Sequence, residues 1–152
     1  IMGDVIQIDY YQNDKLQMLF NTASAIYLLD RNGESVADYP VPLPFPATNG
    51  LSCFDYNGTG EYRIFIGLGN TVKLYDKQGS EITGWQFGEA QSEVHTPVQH
   101  VRLGNKDYIL FSDHNRIYML HRRGTERVTP EAPFAVAPNS QFYHESTIPA
   151  AC

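Results

Sequence analysis

The middle of the chain reads Glu61-Tyr62-Arg63-Ile64-Phe65-Ile66 and then, after a short turn, Val72-Lys73-Leu74-Tyr75-Asp76-Lys77-Gln78-Gly79. Two other copies of this pattern lie 46 residues before and 45 residues after it. The first copy comprises Lys15–Phe20 and Ile26–Gly33, and the last comprises Lys106–Phe111 and Ile117–Gly124. A repeat of this length, built from paired short apolar runs and a turn glycine, is typical of stacked β-units.

The repeat predicts an all-β chain in which each copy forms a four-stranded antiparallel sheet. The two middle strands are almost continuously apolar, so we expect them to be covered on both faces. Each third strand ends in a polar trio closed by Gly33, Gly79 or Gly124, which predicts a type I turn with a left-handed glycine. A proline-containing fourth strand should lie at the edge of each sheet. The predicted fourth strands are Ser35–Val41, Glu81–Phe87 and Glu126–Phe134.

Sheets that repeat every 45–46 residues are typical of β-propeller blades, and this period is longer than that of most solenoids. We therefore predict a single domain over residues 1–152. Its parts are blade 1 at about 3–44, blade 2 at about 49–90, blade 3 at about 96–134 and a tail at 135–152. Propellers usually close with about four to eight blades. Three blades are therefore either part of a longer propeller or half of a six-bladed ring made by two copies associating head to tail.

Composition and charge narrow the range of partners. The formal net charge is -6, and lysines and arginines form no basic face, which argues against nucleic acid. No apolar stretch is long enough to predict a transmembrane helix. Cys53 and Cys152 are the only cysteines, and we expect two unpaired thiols.

A family resemblance rests on Phe54–Ile66, Val72–Gly79 and Thr96–Ile109. These segments resemble large, uncharacterised propeller-repeat proteins of Bacteroidetes, most specifically across residues 51–127. They are similar in a looser way to pyrroloquinoline-quinone-like repeats. The resemblance implies an exported scaffold (periplasmic, outer-membrane-associated or secreted) with no established activity. Since those proteins are much longer, it also favours a fragment or a short relative.

One loop offers a candidate metal site. Asp55, Asn57 and Thr59 occupy alternate positions of a loop that is similar to the calcium loop of FG-GAP propellers. Calcium prefers six to eight oxygen ligands, but this loop supplies only one carboxylate, and Arg63 stands where a later acidic ligand would be. A turn that joins two strands is therefore favoured over a calcium site.

Other candidate chemistry is weaker. No two of the five histidines have zinc-site spacing, and we expect His100 to be a hydrogen-bonded structural residue. Ser112, Asp113 and His114 are adjacent on a strand and cannot form a relay together. Trp85 could stack on a carbohydrate, but packing against the neighbouring blade or the long loop Gly88–Thr96 is the favoured role.

These observations predict a non-enzymatic scaffold or binding module whose partner is another protein or a second copy. They predict no catalytic residue and no cofactor other than the candidate calcium. The alternative is a piece of an enzyme or ligand-binding propeller whose pocket is completed by additional blades or by a second chain.

Overall fold

The computed structural model describes residues 1–131 and residue 142. Within them the chain contains eleven strands and no helix. The strands, in chain order, are β1 Met2–Ile8, β2 Gln17–Asn21, β3 Ala25–Leu29, β4 Val41–Pro42, β5 Ser52–Phe54, β6 Arg63–Leu68, β7 Thr71–Asp76, β8 Gln99–Leu103, β9 Lys106–Ser112, β10 Ile117–Leu120 and β11 Glu126–Val128. The prediction of an all-β chain is confirmed.

Three antiparallel sheets follow one another along the chain. The first sheet has the order β1-β2-β3-β4, the second β5-β6-β7, and the third β8-β9-β10-β11. None of them closes on itself within residues 1–131. The predicted repeat therefore corresponds to one sheet each time.

The prediction of four strands in every sheet is wrong for the second sheet. Residues 81–87 form only an isolated bridge between Tyr75 and Glu81. The indole Nε1 of Trp85 donates to the carbonyl oxygen of Val72 at 2.7 Å, so a side chain occupies an acceptor that a fourth strand would use. Gly84, with a φ of 95°, also turns the backbone away from the extended conformation.

The outer strands of the other two sheets are shorter than predicted. The fourth strand of the first sheet is confined to Val41–Pro42, after an isolated bridge between Leu29 and Ser35. The last strand of the third sheet is Glu126–Val128. Residues 132–134 of the predicted strand, and the tail 135–152 apart from Phe142, lie outside the described residues.

The second sheet is buried on both faces. Along β6, Ile64 and Ile66 belong to an apolar core shared with the first sheet, whereas Phe65 belongs to a core shared with the third. All three side chains have 0% exposure. Since successive residues of a strand point to opposite faces, the continuous apolar run serves both interfaces at once.

Turn geometry confirms the prediction for the three glycines. Gly33, Gly79 and Gly124 have φ values of 81°, 84° and 92°, and each N–H donates to the carbonyl three residues earlier. In the first two turns a carboxylate, Asp30 or Asp76, also accepts the N–H groups two and four residues ahead. The local sequence thus fixes the hairpin and its direction.

Each turn glycine of the second and third sheets is covered by the sheet before it. A Cβ added to Gly79 would lie 2.4 Å from Cγ2 of Val41, and one added to Gly124 would lie 2.6 Å from the backbone nitrogen of Phe87. A Cβ added to Gly33 would meet nothing within 4 Å. Val41 and Phe87 occupy matching repeat positions, so the covering contact is itself repeated.

Buried polar side chains connect the sheets along another edge. The Asn21 side chain bonds the backbone of Asn49 and Leu51, and the Asn49 side chain bonds the N–H of Gly67 and the carbonyl of Thr96. The Thr96 hydroxyl then accepts the N–H of Ser112 at 2.8 Å. Because these groups are buried, losing one of them would leave its partner without a hydrogen bond in the interior.

We predict that Gly33→Ala and Gly124→Ala lower the free energy of unfolding by different amounts. Both substitutions place a Cβ at a left-handed φ, which costs about 1–2 kcal/mol. Gly124→Ala should lower the free energy of unfolding by about 1–3 kcal/mol more, because its methyl group collides with the backbone at Phe87. Urea unfolding of the two variants measures the difference. Equal losses would contradict the covering contact.

Candidate functional site

The candidate calcium loop is organised by its own carboxylate. Oδ1 of Asp55 accepts the N–H of Thr59 at 3.1 Å, and Oδ2 accepts the N–H of Gly60 at 2.8 Å. Gly58 and Gly60 have φ values of 67° and 80°, which let the backbone fold around the carboxylate. The arrangement is that of a tight turn between β5 and β6.

The loop before β2 has the same geometry without the glycines. Asp9 accepts the N–H groups of Asn13 and Asp14 at 3.0 and 2.9 Å. Gln12 and Asp14 adopt φ values of 55° and 63° where the second copy has its two glycines. A shared turn therefore accounts for the Asp55, Asn57 and Thr59 pattern. Among the described residues, no group of three or more His, Cys, Asp or Glu side chains could hold a metal ion.

We predict that Asp55 stabilises the fold through these two hydrogen bonds and not through calcium. Asp55→Ala should lower the free energy of unfolding by about 1–3 kcal/mol, because two backbone donors lose a charged acceptor. The melting temperature of the unmodified protein should be the same in about 1 mM calcium and in chelator. A calcium-dependent rise that disappears in Asp55→Ala would establish the metal site instead.

His100 belongs to a charge network centred on the buried carboxylate of Asp107. Oδ1 of Asp107 accepts from Nε2 of His100 at 2.7 Å and from Nε of Arg102 at 2.9 Å, and Oδ2 lies 3.1 Å from Nε of Arg122. Burial raises the pKa of Asp107, but the hydrogen bonds from Arg102 and His100 and the charge of Arg122 outweigh it and hold that pKa below its usual value. The prediction of a structural, hydrogen-bonded His100 is confirmed.

Asp113 is also engaged structurally. Its carboxylate is fully buried and accepts the N–H groups of Ser92, Asn115 and Arg116 and the hydroxyl of Tyr118. Burial raises the pKa of Asp113, and these donors more than reverse that effect, so the pKa is lowered. The N–H of Ser112 donates to the hydroxyl of Thr96.

Trp85 and Cys53 are both partly buried against the apolar cores. Trp85 packs edge-on against Phe65 with 5.4 Å between ring centroids, so part of its indole has a packing role. Burial raises the pKa of the Cys53 thiol to about 12, so it is a poor nucleophile. Cys53 is unpaired, as predicted, whereas Cys152 lies outside the described residues.

The turn after β10 replaces the carboxylate of the other two turns with His121. Its Nδ1 accepts the N–H of Arg123 at 3.2 Å, which requires the neutral ring. Burial and the charges of Arg127, Arg123 and Arg122 lower the pKa of His121. The unfolded chain therefore takes up a proton more readily than the folded one, and stability falls as the pH drops below the ordinary histidine value of about 6.5.

We predict that His121→Asp stabilises the protein and weakens this pH dependence. A carboxylate at 121 can accept the N–H groups of Arg123 and Thr125, as Asp30 and Asp76 do in their turns, and it gains attraction to three arginines. We expect a gain of about 1 kcal/mol near pH 7, and a larger gain near pH 5. Urea unfolding across this range checks it. If the unmodified protein and the variant lose the same free energy of unfolding between pH 7 and pH 5, His121 is not the source of the pH dependence.

The outer face of the first sheet is the most distinctive surface. Met18, Phe20, Tyr27 and Leu29 lie on it, opposite the core, and are only half-buried. The Phe20 and Tyr27 rings stack with 5.3 Å between centroids. We call this surface, together with the uncovered turn at Gly33, the receiving face.

Most of the matching repeat positions in the other sheets are covered. The residues that correspond to the receiving face are Ile64, Ile66, Lys73 and Tyr75 in the second sheet and Ile109, Phe111, Tyr118 and Leu120 in the third. All of them except Lys73 are buried against the preceding sheet, and Lys73 is half-buried and pairs with Glu81. No described residue covers the corresponding side chains of the first sheet.

The third sheet has a complementary outer face. Leu110, Ile117 and Met119 lie on it, at positions that match Phe65, Val72 and Leu74 of the second core. We call this surface the inserting face. The backbone N–H and C=O of Phe142 bond the side chain of Gln99, which shares this face, at 2.6 and 3.0 Å. Sequence analysis did not single out either set of residues, although aligning the three repeats would have identified them.

No family model, curated protein or solved structure matches the chain. The described residues include no helix long and apolar enough to cross a membrane. The resemblance to propeller-repeat proteins therefore stays a prediction from the sequence.

Proposed function

We propose that this chain is a three-bladed β-propeller module with a non-enzymatic scaffold function, and that it acts by joining its blades to further blades. The observation that carries the proposal is the receiving face. It repeats, at three of its four positions, the apolar surface that the second sheet buries against the first, and at all four positions the surface that the third sheet buries against the second. An apolar surface of this kind on a soluble domain is typical of a protein interface.

The partner that fits best is a second copy of the chain. The inserting face of one copy presents Leu110, Ile117 and Met119, as the second sheet presents their counterparts to the third. Placing it on the receiving face of another copy repeats the contact already made twice within each chain. Such a contact joins two different surfaces, so it closes only as a ring, and two copies would supply six blades. Phe142 must then leave Gln99 or become part of the interface.

A non-enzymatic role is supported by the state of the ionisable groups. Asp55, Asp107 and Asp113 accept hydrogen bonds that hold turns and strands together. Each has a structural role that explains its position without chemistry. The family resemblance adds an exported, envelope-associated location to the proposal. The alternative of a ligand-binding or enzymatic propeller would need a pocket completed by the blades of another chain.

We predict that the protein is a dimer at about 100 µM, and that Phe20→Asp weakens dimerisation at least tenfold, or about 1.4 kcal/mol. An aspartate on the receiving face would place a charge in an apolar interface, where it has no partner. The matched control is Phe45→Asp, since Phe45 is 61% exposed in a loop away from both outer faces. Sedimentation equilibrium measures all three proteins.

A mixing experiment tests the head-to-tail arrangement. Phe20→Asp damages the receiving face and Leu110→Asp damages the inserting face, so a mixture of the two variants retains one intact interface. We expect heterodimers in the mixture and weaker association of either variant alone. Far-UV circular dichroism checks that both fold. A monomeric wild-type protein at the same concentration, or a Phe20→Asp variant that dimerises normally, would overturn the proposal.

A further inference from the structure

A cleft of about 390 Å³ lies where the turns of the second and third sheets meet. Its walls come from the loop after β5, the segment that follows β7 and the turn after β10. The residues that matter for its chemistry are Arg63, Trp85, Arg122 and Arg123, with Asp55 and Glu61 also present. A volume of this size is in the range of small-molecule sites.

The charge balance of the cleft favours an anion. Both oxygens of Asp55 already accept backbone N–H groups. The Glu61 side chain is 73% exposed, and its carboxylate is as far as 4.0 Å from the guanidinium of Arg63, so this ion pair is weak. Arg122 is held by Asp107, which also bonds Arg102. Arg123 makes no ion pair with any described residue. A cationic patch therefore remains in a chain of net charge -6, and it contributes to the lowered pKa of His121.

Aromatic rings complete the cleft beside these cations. Trp85 lines it and is fixed by the bond from its indole Nε1 to Val72. Arg122 lies over the ring of Tyr56 at 5.0 Å from the centroid, so its guanidinium is held in one place. A fixed indole next to guanidinium groups provides one apolar and one charged surface for a ligand.

The matching junction between the first and second sheets has only part of this chemistry, namely a cation over a tyrosine ring, Lys77 over Tyr10. Gln17, Lys77 and Gln78 stand at the repeat positions of Arg63, Arg122 and Arg123, and Tyr39 stands at that of Trp85. The turn carboxylates Asp9 and Asp55 are the same in both copies. The arginines and the tryptophan are thus particular to one junction and are not required by the repeat.

We propose that this cleft binds a small organic acid whose carboxylate pairs with Arg123 and Arg63 and whose ring presents an apolar face to Trp85. Guanidinium groups bond carboxylates through two parallel hydrogen bonds, which fixes the orientation of the acid as well as attracting its charge. Both an aromatic acid and a sugar acid have this chemistry. The site is complete within one chain, so it does not depend on the association of two copies.

The single tryptophan makes the test direct, because Trp85 gives the only indole signal. The probes are benzoate and glucuronate, each beside its uncharged counterpart, benzamide and glucose. Titrations followed by the Trp85 indole N–H resonance should show saturable shifts with at least one acid. The counterpart without a charge should bind at least tenfold more weakly. Which acid binds distinguishes an aromatic from a sugar ligand.

Two variants distinguish binding in this cleft from a general effect of removing a positive charge. Arg123→Gln introduces the residue of the matching turn, Gln78, and should raise the dissociation constant at least fivefold. Lys106→Gln is the control, since Lys106 is an exposed residue at the start of β9 and does not line the cleft. No saturable shift with either acid, equal binding of acid and uncharged counterpart, or equal effects of the two variants would overturn the proposal.

Discussion

The double burial of the second sheet is the constraint on which the rest of the structure depends. One strand, β6, sends Ile64 and Ile66 to one neighbour and Phe65 to the other. Full burial of each such side chain stabilises the fold by about 1.5–3 kcal/mol, but only if sheets are present on both sides. The first and third sheets are therefore required by the second. The outer faces of the first and third sheets carry apolar residues at the corresponding positions, Phe20 and Leu29 in the first and Leu110 and Met119 in the third.

The contacts between sheets are of three kinds, and each recurs at the repeat spacing. Apolar faces supply most of the buried area, the segment after each third strand covers the next turn glycine, and buried amide and hydroxyl groups tie successive strands together. The polar contacts fix register, because Asn49 fits only where Gly67 leaves room; a Cβ there would lie 2.8 Å from its Nδ2. Apolar packing alone would tolerate sliding of one sheet over another.

Much of this was accessible from the sequence because it is local and periodic. The continuous apolar runs predict the two middle strands of each sheet, and the trios before Gly33, Gly79 and Gly124 predict the turns. The fourth strands were predicted less well, since their pairing depends on which group bonds the outer edge of the third strand. In the second sheet the Trp85 side chain bonds the carbonyl of Val72, and no pattern in residues 81–87 reveals this. The calcium pattern at Asp55 was ambiguous because the same carboxylate serves a turn equally well. The arginine-lined cleft was missed, since Arg63 and Arg123 are distant in sequence and line one cleft only because the second and third sheets stack.

Neither apolar core contains residues from both the first and the third sheet. The apolar residues of each sheet thus pack only against the sheets before and after it, as in other repeat proteins. Duplication or deletion of one whole repeat would then recreate contacts that already exist and would demand no compensating changes elsewhere. A gene encoding such a chain can lengthen or shorten by whole units, and the number of sheets becomes a property that evolution can adjust separately from the sequence of any one of them.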